Sequence, residues 1–262
     1  MTAPLTIVLV EPAGPLNVGS VARVMKNFGL AQLVLVNPQC DRLGREALQM
    51  AIHARDILDG AIEVPDLPTA LARCDRVGAT FGRDWDSPVV VQEPAAALPW
   101  LRAGRSPALV FGREDRGLSN DELKYAQRLI RIPTSEAYPS MNLAQAVAVC
   151  AYEWIREPIA PNLNAPDLNA PDLNAPNLNA PPVAEPIELA PVAQVEHFHR
   201  DLEALLLRSG FLYPHTVGSR MEKLRRILQR SNPSPQDLAL LWGAVKQMNW
   251  AIDHLPRPDE RQ

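Results

Sequence analysis

Residues Ser135–Ile155 read SEAYPSMNLAQAVAVCAYEWI, a polar loop followed by an apolar segment. From Leu143 onward, apolar residues recur at steps of three and four, which predicts a helix with one buried face. Ser140 or Asn142 can cap its first turn, and Pro158 ends it. A polar loop at the amino end of a buried helix suits a polar or anionic ligand, although an ordinary capped core helix has the same pattern.

A βαβ unit is predicted upstream, at the beginning of the chain. Thr6–Val10 is typical of a buried strand, a helix is expected from Asn17 to Phe28 with Gly29 as its stop, and Leu33–Val36 is the second strand. This order favours an α/β fold with a mostly parallel sheet flanked by helices. The loop after the first strand lacks G-x-G-x-x-G, which disfavours the usual dinucleotide fold.

Three further strands are predicted, and each ends in a polar loop rich in Gly or Pro. They cover Arg76–Thr80, Ala108–Phe111 and Leu129–Ile132. Ligands of open α/β sheets bind beyond the carboxyl ends of the strands, so we expect these loops to form a site. Helices are expected at Ala47–Ile57, Ala70–Arg73 and Ala95–Leu101, and a capping box opens another at Ser119 and Glu122.

The chain divides into residues 1–157, a linker over 158–193, a helical extension over 194–256 and a tail over 257–262. Leu163–Pro182 repeats a five-residue unit, LNAPD, and proline at every fifth position excludes both helix and sheet. We therefore predict a disordered tether. A five-residue solenoid is the alternative, but too few repeats are present to bury a core.

The helical extension carries an excess of basic residues. Residues 158–196 hold five acidic and no basic residues, whereas residues 197–262 hold ten basic and seven acidic ones. An amphipathic basic helix is predicted at Arg220–Gln229, and Ser234 caps a last helix that runs through Ile252. The basic helix is either a solvated face or a grip for RNA.

The overall composition places limits on the class of protein. Net charge is −4, and 47% of the residues are hydrophobic, as in a globular protein. No apolar run has the length of a membrane span and no secretory leader opens the sequence, so we predict a cytoplasmic protein without a membrane partner. The three cysteines, at 40, 74 and 150, have no metal-ligand spacing and are expected to be reduced.

Three separated stretches resemble the SPOUT class (SpoU/TrmH type) of RNA 2′-O-methyltransferases. They are EPAGPLNVGSVARVMKNFGL (11–30), LVFGREDRGLSNDEL (109–123) and IPTSEAYPSMNLAQAVAVCAYE (132–153). The tail stretch MEKLRRILQRSNPSPQDLALLWGAVKQMNWAI (221–252) is similar to the helical extension of the TrmJ branch, which methylates riboses in the tRNA anticodon loop.

The resemblance implies a C-terminal trefoil knot, a homodimer and S-adenosyl-L-methionine as methyl donor, with no metal. It also implies a set of residues around the cofactor. These are Ala79, Thr80, Phe81, Gly82, Phe111, Gly112, Glu114, Ile132, Ser140, Met141, Asn142 and Leu143. Glu114 orients loop amides or a cofactor hydroxyl, or else forms an ion pair with Arg113 or Arg116. The loop GATFGRD (78–84) departs from the branch, which has a small residue where Phe81 stands.

The resemblance assigns catalysis to Arg23, Asn17 and Ser140, and tRNA binding to Arg23 and to Arg220, Lys223, Arg225 and Arg226. A guanidinium has a pKa above about 12 and is a poor base, so Arg23 is expected to grip a phosphate and stabilise the alkoxide. Asn17 as a plain helix cap is the alternative. The implied reaction is 2′-O-methylation of C or U at position 32 of tRNA; the alternatives are another RNA site or an inactive RNA-binding homologue.

Overall fold

In the part of the chain that the structure describes, seven parallel strands form a single sheet in the order β3-β2-β1-β6-β4-β7-β5. The computed structural model of the chain describes residues 3–82, 90–156 and 188–254. The strands are β1 Thr6–Val10, β2 Gln32–Val36, β3 Ile62–Val64, β4 Arg76–Thr80, β5 Val90–Gln92, β6 Pro107–Phe111 and β7 Arg128–Ile130. The predicted α/β class and parallel sheet are confirmed.

Helices connect the strands and form the tail. They are α1 Pro15–Asn27, α2 Arg45–Ala51, α3 Arg55–Asp59, α4 Leu67–Leu71, α5 Pro94–Arg102, α6 Asn120–Leu123, α7 Leu143–Ile155, α8 Val192–Arg208, α9 Val217–Ser231 and α10 Pro235–His254. The predicted single helix over 47–57 is wrong, because Ile52 adopts φ +53° and separates α2 from α3. The two edge strands β3 and β5, of three residues each, were not predicted.

The sheet is buried on both faces. Ile7 and Leu9 of β1 pack with α1, α2, α3, α5 and α7, whereas Val8 and Val10 pack on the opposite face toward α4. Alternate residues of one strand point to opposite faces, so a continuous apolar run such as TIVLV is what a central parallel strand requires. Val147 at the centre of α7 is fully buried in the first of these layers.

Gly19 allows α1 and α2 to pack in close contact. A Cβ atom at Gly19 would lie 2.2 Å from the carbonyl oxygen of Ala47 and 2.9 Å from Cβ of Met50. The space where a side chain of residue 19 would stand is therefore filled by helix α2 of the same chain.

The helical tail has its own small core and docks on the sheet domain. Phe198 of α8 and Leu238 of α10 belong to this core. The amide of Val192 donates to the carbonyl oxygen of Cys74 at 2.9 Å, and Arg225 of α9 pairs with Glu196 of α8. The repeat lies outside the described residues, whereas the docked tail begins at residue 188.

The three cysteines are free thiols, as predicted. Cys74 and Cys150 are buried, and burial raises the pKa of each thiol to about 12. Within residues 3–82, 90–156 and 188–254, no helix combines the length and apolarity needed to cross a bilayer. In the same ranges, His, Cys, Asp and Glu do not gather into a group that could hold a metal ion.

Candidate active site

Three strand ends carry most of the predicted cofactor residues. Strand β4 pairs with both β6 and β7, so the carboxyl ends of these strands lie side by side at one edge. The hydroxyl of Thr80 donates to the carbonyl oxygen of Val110 at 3.2 Å, and the amide of Phe81 donates to that of Ile130 at 3.1 Å. The loops after β4, β6 and β7 therefore begin next to one another.

Asn17 connects the other two motifs. Its Nδ2 donates to Oε1 of Glu114 at 2.8 Å, and its Oδ1 accepts from Nδ2 of Asn142 at 3.0 Å. Gly14 occupies the cap position of α1 and Asn17 lies three residues later, so the interpretation of Asn17 as a plain helix cap is wrong. Asn142 is the predicted cap of α7, since its Oδ1 accepts from the amides of Ala144 and Gln145.

Glu114 holds the loop that precedes α1. Its carboxylate accepts from the backbone amides of Ala13 and Gly14, each at 3.1 Å, and from the side chain of Asn17. Burial raises the pKa of Glu114, but the hydrogen bonds from Ala13, Asn17 and Gly14 outweigh it and leave the pKa below its ordinary value. The carboxylate is therefore ionised at neutral pH and orients loop amides, one of the roles that the sequence suggested.

The alternative ion pair of Glu114 with a neighbouring arginine is wrong within the described part of the chain. Arg113 contacts Asp115 at 3.0 Å, and Arg116 contacts Glu122 at 2.9 Å. Arg116 also lies 2.9 Å from Glu11, at the end of β1. These pairs fix the loop after β6 against the end of β1 and leave Glu114 free to accept from amides.

A pocket of about 660 Å³ opens beside Glu114, within the size range of small-molecule sites. It brings together the predicted residues Glu114, Ser140, Met141, Asn142 and Leu143. Five lining residues were not predicted as site residues: Pro133, Thr134, Ser135, Tyr138 and Gln145. All but Gln145 belong to the loop between β7 and α7, so the signal that identifies them is membership of that loop.

Other predicted cofactor residues have buried side chains or are glycines. Ala79 and Phe111 are 1% exposed, with their side chains inside the core. Gly112 is required by the protein itself, because a Cβ atom there would lie 2.2 Å from the backbone of Gly117. At Gly82 the position of a Cβ atom has no neighbour within 4 Å among the described residues.

Arg23 stands apart from this cluster. It lies six residues after Asn17, about 9 Å further along α1, and its side chain is exposed. Among the described residues it forms no hydrogen bond or ion pair. Within one copy of the protein, hydrogen bonds therefore connect Asn17 to the pocket that contains Ser140. Arg23 lies outside this cluster.

The four basic residues predicted to bind RNA have different environments on α9. Arg225 pairs with Glu196 and its side chain is 17% exposed, so its charge is engaged inside the tail. Arg226 pairs with Glu222, and Arg220 donates to the carbonyl oxygen of Phe211 at 2.9 Å. Lys223 is exposed and has no partner among the described residues.

Comparisons with known proteins identify the family of the chain. The model of the SpoU rRNA Methylase family matches residues 4–152, and the model of the tRNA methyltransferase TrmJ C-terminal domain matches residues 193–258. The chain belongs to the SpoU methylase family, whose members use S-adenosylmethionine as methyl donor.

Within that family, TrmJ proteins are among the relatives that match over more than nine tenths of the chain. The tRNA (cytidine/uridine-2′-O-)-methyltransferase TrmJ of Pectobacterium atrosepticum is 36% identical, over 95% of this chain and 98% of its own length. The tRNA (cytidine/uridine/adenosine-2′-O-)-methyltransferase TrmJ of Pseudomonas aeruginosa is 36% identical, over 93% of both chains. The crystal structure of TrmJ from Z. mobilis ZM4 superposes with a TM-score of 0.78 at 27% identity, covering 94% of this chain and 100% of that one.

Proposed function

We propose that the protein transfers a methyl group from S-adenosylmethionine to a ribose 2′-hydroxyl of tRNA, at a cytidine or uridine at position 32 of the anticodon loop. The observation that carries the proposal is the hydrogen-bonded series Asn142–Asn17–Glu114, which joins all three family motifs beside one pocket. The match of the tail to the TrmJ C-terminal domain supports tRNA as the substrate.

The residues present fit the cofactor. S-adenosylmethionine, when bound, supplies a methyl group already activated on a sulfonium. The pocket beside Glu114 has the size for a nucleoside-containing ligand. Phe81, Gly112 and Ile132 are not among its described lining residues but follow the ends of the neighbouring strands, where Phe81 and Ile132 pack against the apolar core. Gly82 leaves space where a side chain would stand. We assign these residues to the donor site, together with Leu143, which is buried at the start of α7.

For the transfer step, the protein has to position the ribose and stabilise the oxyanion that develops. Ser140 lines the pocket, and Asn17 is held by hydrogen bonds to Glu114 and Asn142, which also line it. We assign both to orientation of the 2′-hydroxyl. A guanidinium is a poor base, and we assign Arg23 to the adjacent phosphate and to the developing alkoxide. The transfer itself needs no metal.

We further propose that the enzyme is a homodimer and that Arg23 acts on the pocket of the other copy. Arg23 shares the exposed side of α1 with Leu16, which is 50% exposed. Tyr152 and Ile155 of the neighbouring helix α7 are 52% and 51% exposed. Large exposed apolar side chains on two packed helices favour a protein interface at this pair of helices. A copy seated there would bring a second Arg23 close to this pair of helices.

The trefoil knot remains a proposal, supported by the course of the chain. Strands β4 and β6 lie between β7 and β1, yet the segment after β7 leads to α7, which packs against α1 beside β1. This segment therefore crosses the ends of β4 and β6, where Glu114 reaches back to Gly14. We also retain the division into a methyltransferase domain, a linker and a tail, and a cytoplasmic location, where tRNA is modified.

Labelled S-adenosylmethionine incubated with tRNA and with ribosomal RNA fragments tests the proposal. We expect label in tRNA and little in the fragments. Label only in ribosomal RNA would favour the alternative of another RNA substrate. Absence of transfer, together with absence of cofactor binding in calorimetry, would favour the inactive RNA-binding homologue.

A further inference from the structure

An arginine-lined cleft lies where the tail meets the sheet domain, away from the pocket beside Glu114. Its volume is about 130 Å³, enough for several water molecules and so for a phosphate group. It is lined by Arg128 from β7 and by Arg226 and Arg230 from α9. The other described lining residues are Val90, Gln127, Gln229 and Asn232.

The charges of this cleft are unbalanced. None of the described residues that line it is acidic, whereas three of them are arginines. Glu222 partners Arg226 one turn away on α9, whereas Arg230 is exposed and has no partner among the described residues. Arg128 stacks on the ring of Trp100 at 4.5 Å and donates to the backbone carbonyl of Gln127. These contacts orient the Arg128 guanidinium without neutralising it, so like charges repel here unless an anion enters.

We propose that this cleft binds one backbone phosphate of the tRNA and so clamps the tail to the methyltransferase domain around its substrate. Planar guanidinium groups bind phosphate through paired hydrogen bonds. Arg128 and Arg230 come from different domains, so a phosphate between them would couple RNA binding to the position of the tail. The inference rests on the proposed tRNA substrate and adds Arg128 and Arg230, which the family motifs do not assign, to its binding surface.

The test compares Arg230→Gln, Arg128→Gln and the double variant with the matched control Arg200→Gln. Arg200 is an exposed arginine on α8 that lies outside the cleft. We expect each cleft variant to weaken tRNA binding about tenfold, as the loss of a charged hydrogen bond predicts, and to lower the salt slope of the affinity by about one. The double variant should lose less than the product of the two single losses, because both side chains hold the same phosphate. Arg128→Lys, which keeps the charge and packs in the same place, should recover part of the affinity.

The possible outcomes distinguish failure of the clamp proposal from failure of the proposed function. Cleft variants that bind tRNA as tightly as Arg200→Gln, while the wild type binds and methylates tRNA, would overturn the clamp alone. Strictly additive losses would also overturn it, since the two arginines would then hold different phosphates. Stabilisation of the wild type by inorganic phosphate, with tRNA affinity unchanged in the variants, would identify a site for a free anion instead. A wild type that neither binds nor methylates tRNA would overturn the proposed function and the clamp with it.

Discussion

Asn142 donates from Nδ2 to Oδ1 of Asn17 at 3.0 Å, across 125 residues of sequence. The direction of this bond is fixed at both ends. Oδ1 of Asn142 accepts from amides at the start of α7, so its Nδ2 must point away from that helix. At the other end, Nδ2 of Asn17 faces the carboxylate of Glu114, which only accepts. The three side chains therefore form a series of hydrogen bonds that is satisfied in only one orientation of the two amide groups.

Asn142→Asp should lower methyl transfer without weakening α7. The new carboxylate still caps the helix, and a negative charge is favourable at a helix amino terminus. Its second oxygen would face Oδ1 of Asn17, and the two acceptors would repel each other. If the Asn17 amide were flipped, its Oδ1 would instead face the carboxylate of Glu114, which also only accepts. We expect kcat/KM to fall about 10- to 100-fold, as loss of alignment predicts, with an unchanged melting temperature.

Asp66→Asn is the control for that substitution, because Asp66 caps α4 in the same way, with its side chain accepting from the amide of Thr69. It should keep full activity. Full activity in Asn142→Asp would show that the series is not needed for catalysis.

Glu114→Gln should change the pH dependence of stability. The pKa of Glu114 is lowered in the folded state, so its contribution is fully present above the unfolded pKa of about 4.3 and is lost as the pH falls through the lower folded pKa. At neutral pH we expect the variant to lose about 1.5 kcal/mol, because an amide replaces one accepting oxygen with a donor. Denaturant unfolding from pH 7 to pH 3 measures this.

The difference between wild type and Glu114→Gln should shrink as the pH falls below about 4.3. Glu93→Gln is the control, since Glu93 occupies the cap position of α5 without a side-chain capping bond. A difference that stays constant with pH would show that the Glu114 carboxylate does not anchor the loop.

Arg23→Ala should abolish turnover while leaving cofactor affinity within a few-fold. If Arg23 acts across a dimer, co-expression with the Asn142→Asp chain yields mixed dimers in which one site has both an intact Arg23 and an intact Asn142. Random pairing of the two impaired chains would then restore about a quarter of wild-type activity. Activity no greater than that of the parents would place Arg23 on its own pocket, or outside catalysis.

Gly19→Ala should destabilise the fold by at least about 3 kcal/mol, because its Cβ would overlap the carbonyl oxygen of Ala47. Gly243→Ala is the matched control: Gly243 is also helical, and the position of its Cβ has no neighbour within 4 Å among the described residues. It should stabilise the protein by about 0.4–1 kcal/mol. Equal effects in thermal unfolding would contradict the close packing of α1 on α2.

Lys223→Gln should affect tRNA binding and Arg225→Gln should affect stability, although the two residues lie on one helix. Lys223 is exposed, so its loss should weaken tRNA binding and lower the salt slope by about one. Arg225→Gln leaves the half-buried carboxylate of Glu196 without its partner, so it should mainly lower the melting temperature. Weaker tRNA binding in Arg225→Gln, with no loss of stability, would reverse this assignment.

Local signals in the sequence predicted the local features. The Asn142 cap, the capping box of Ser119 and Glu122, and Gly29 at φ +68° after α1 each depend on residues within one turn. The order of strands and helices indicated the parallel sheet because such a sheet requires crossover connections.

Contacts between distant residues were not predictable from spacing. Nothing near Asn17 shows that it bonds to Glu114, 97 residues away, and nothing near Arg225 shows that Glu196 neutralises it. The pattern of charges in the sequence of α9 therefore predicted too many basic side chains for RNA binding. Strands β3 and β5 were missed because three residues at a sheet edge leave no clear alternation of polar and apolar residues.

The most direct test of the proposed function is to locate the transferred methyl group. tRNA methylated by the purified protein is digested, and mass spectrometry identifies the modified nucleotide and the atom that carries the methyl group. We predict a 2′-O-methylribose at position 32 of the anticodon loop, absent when Arg23→Ala replaces the wild type. A methyl group on a base, or a 2′-O-methylribose at another position only, would contradict the account.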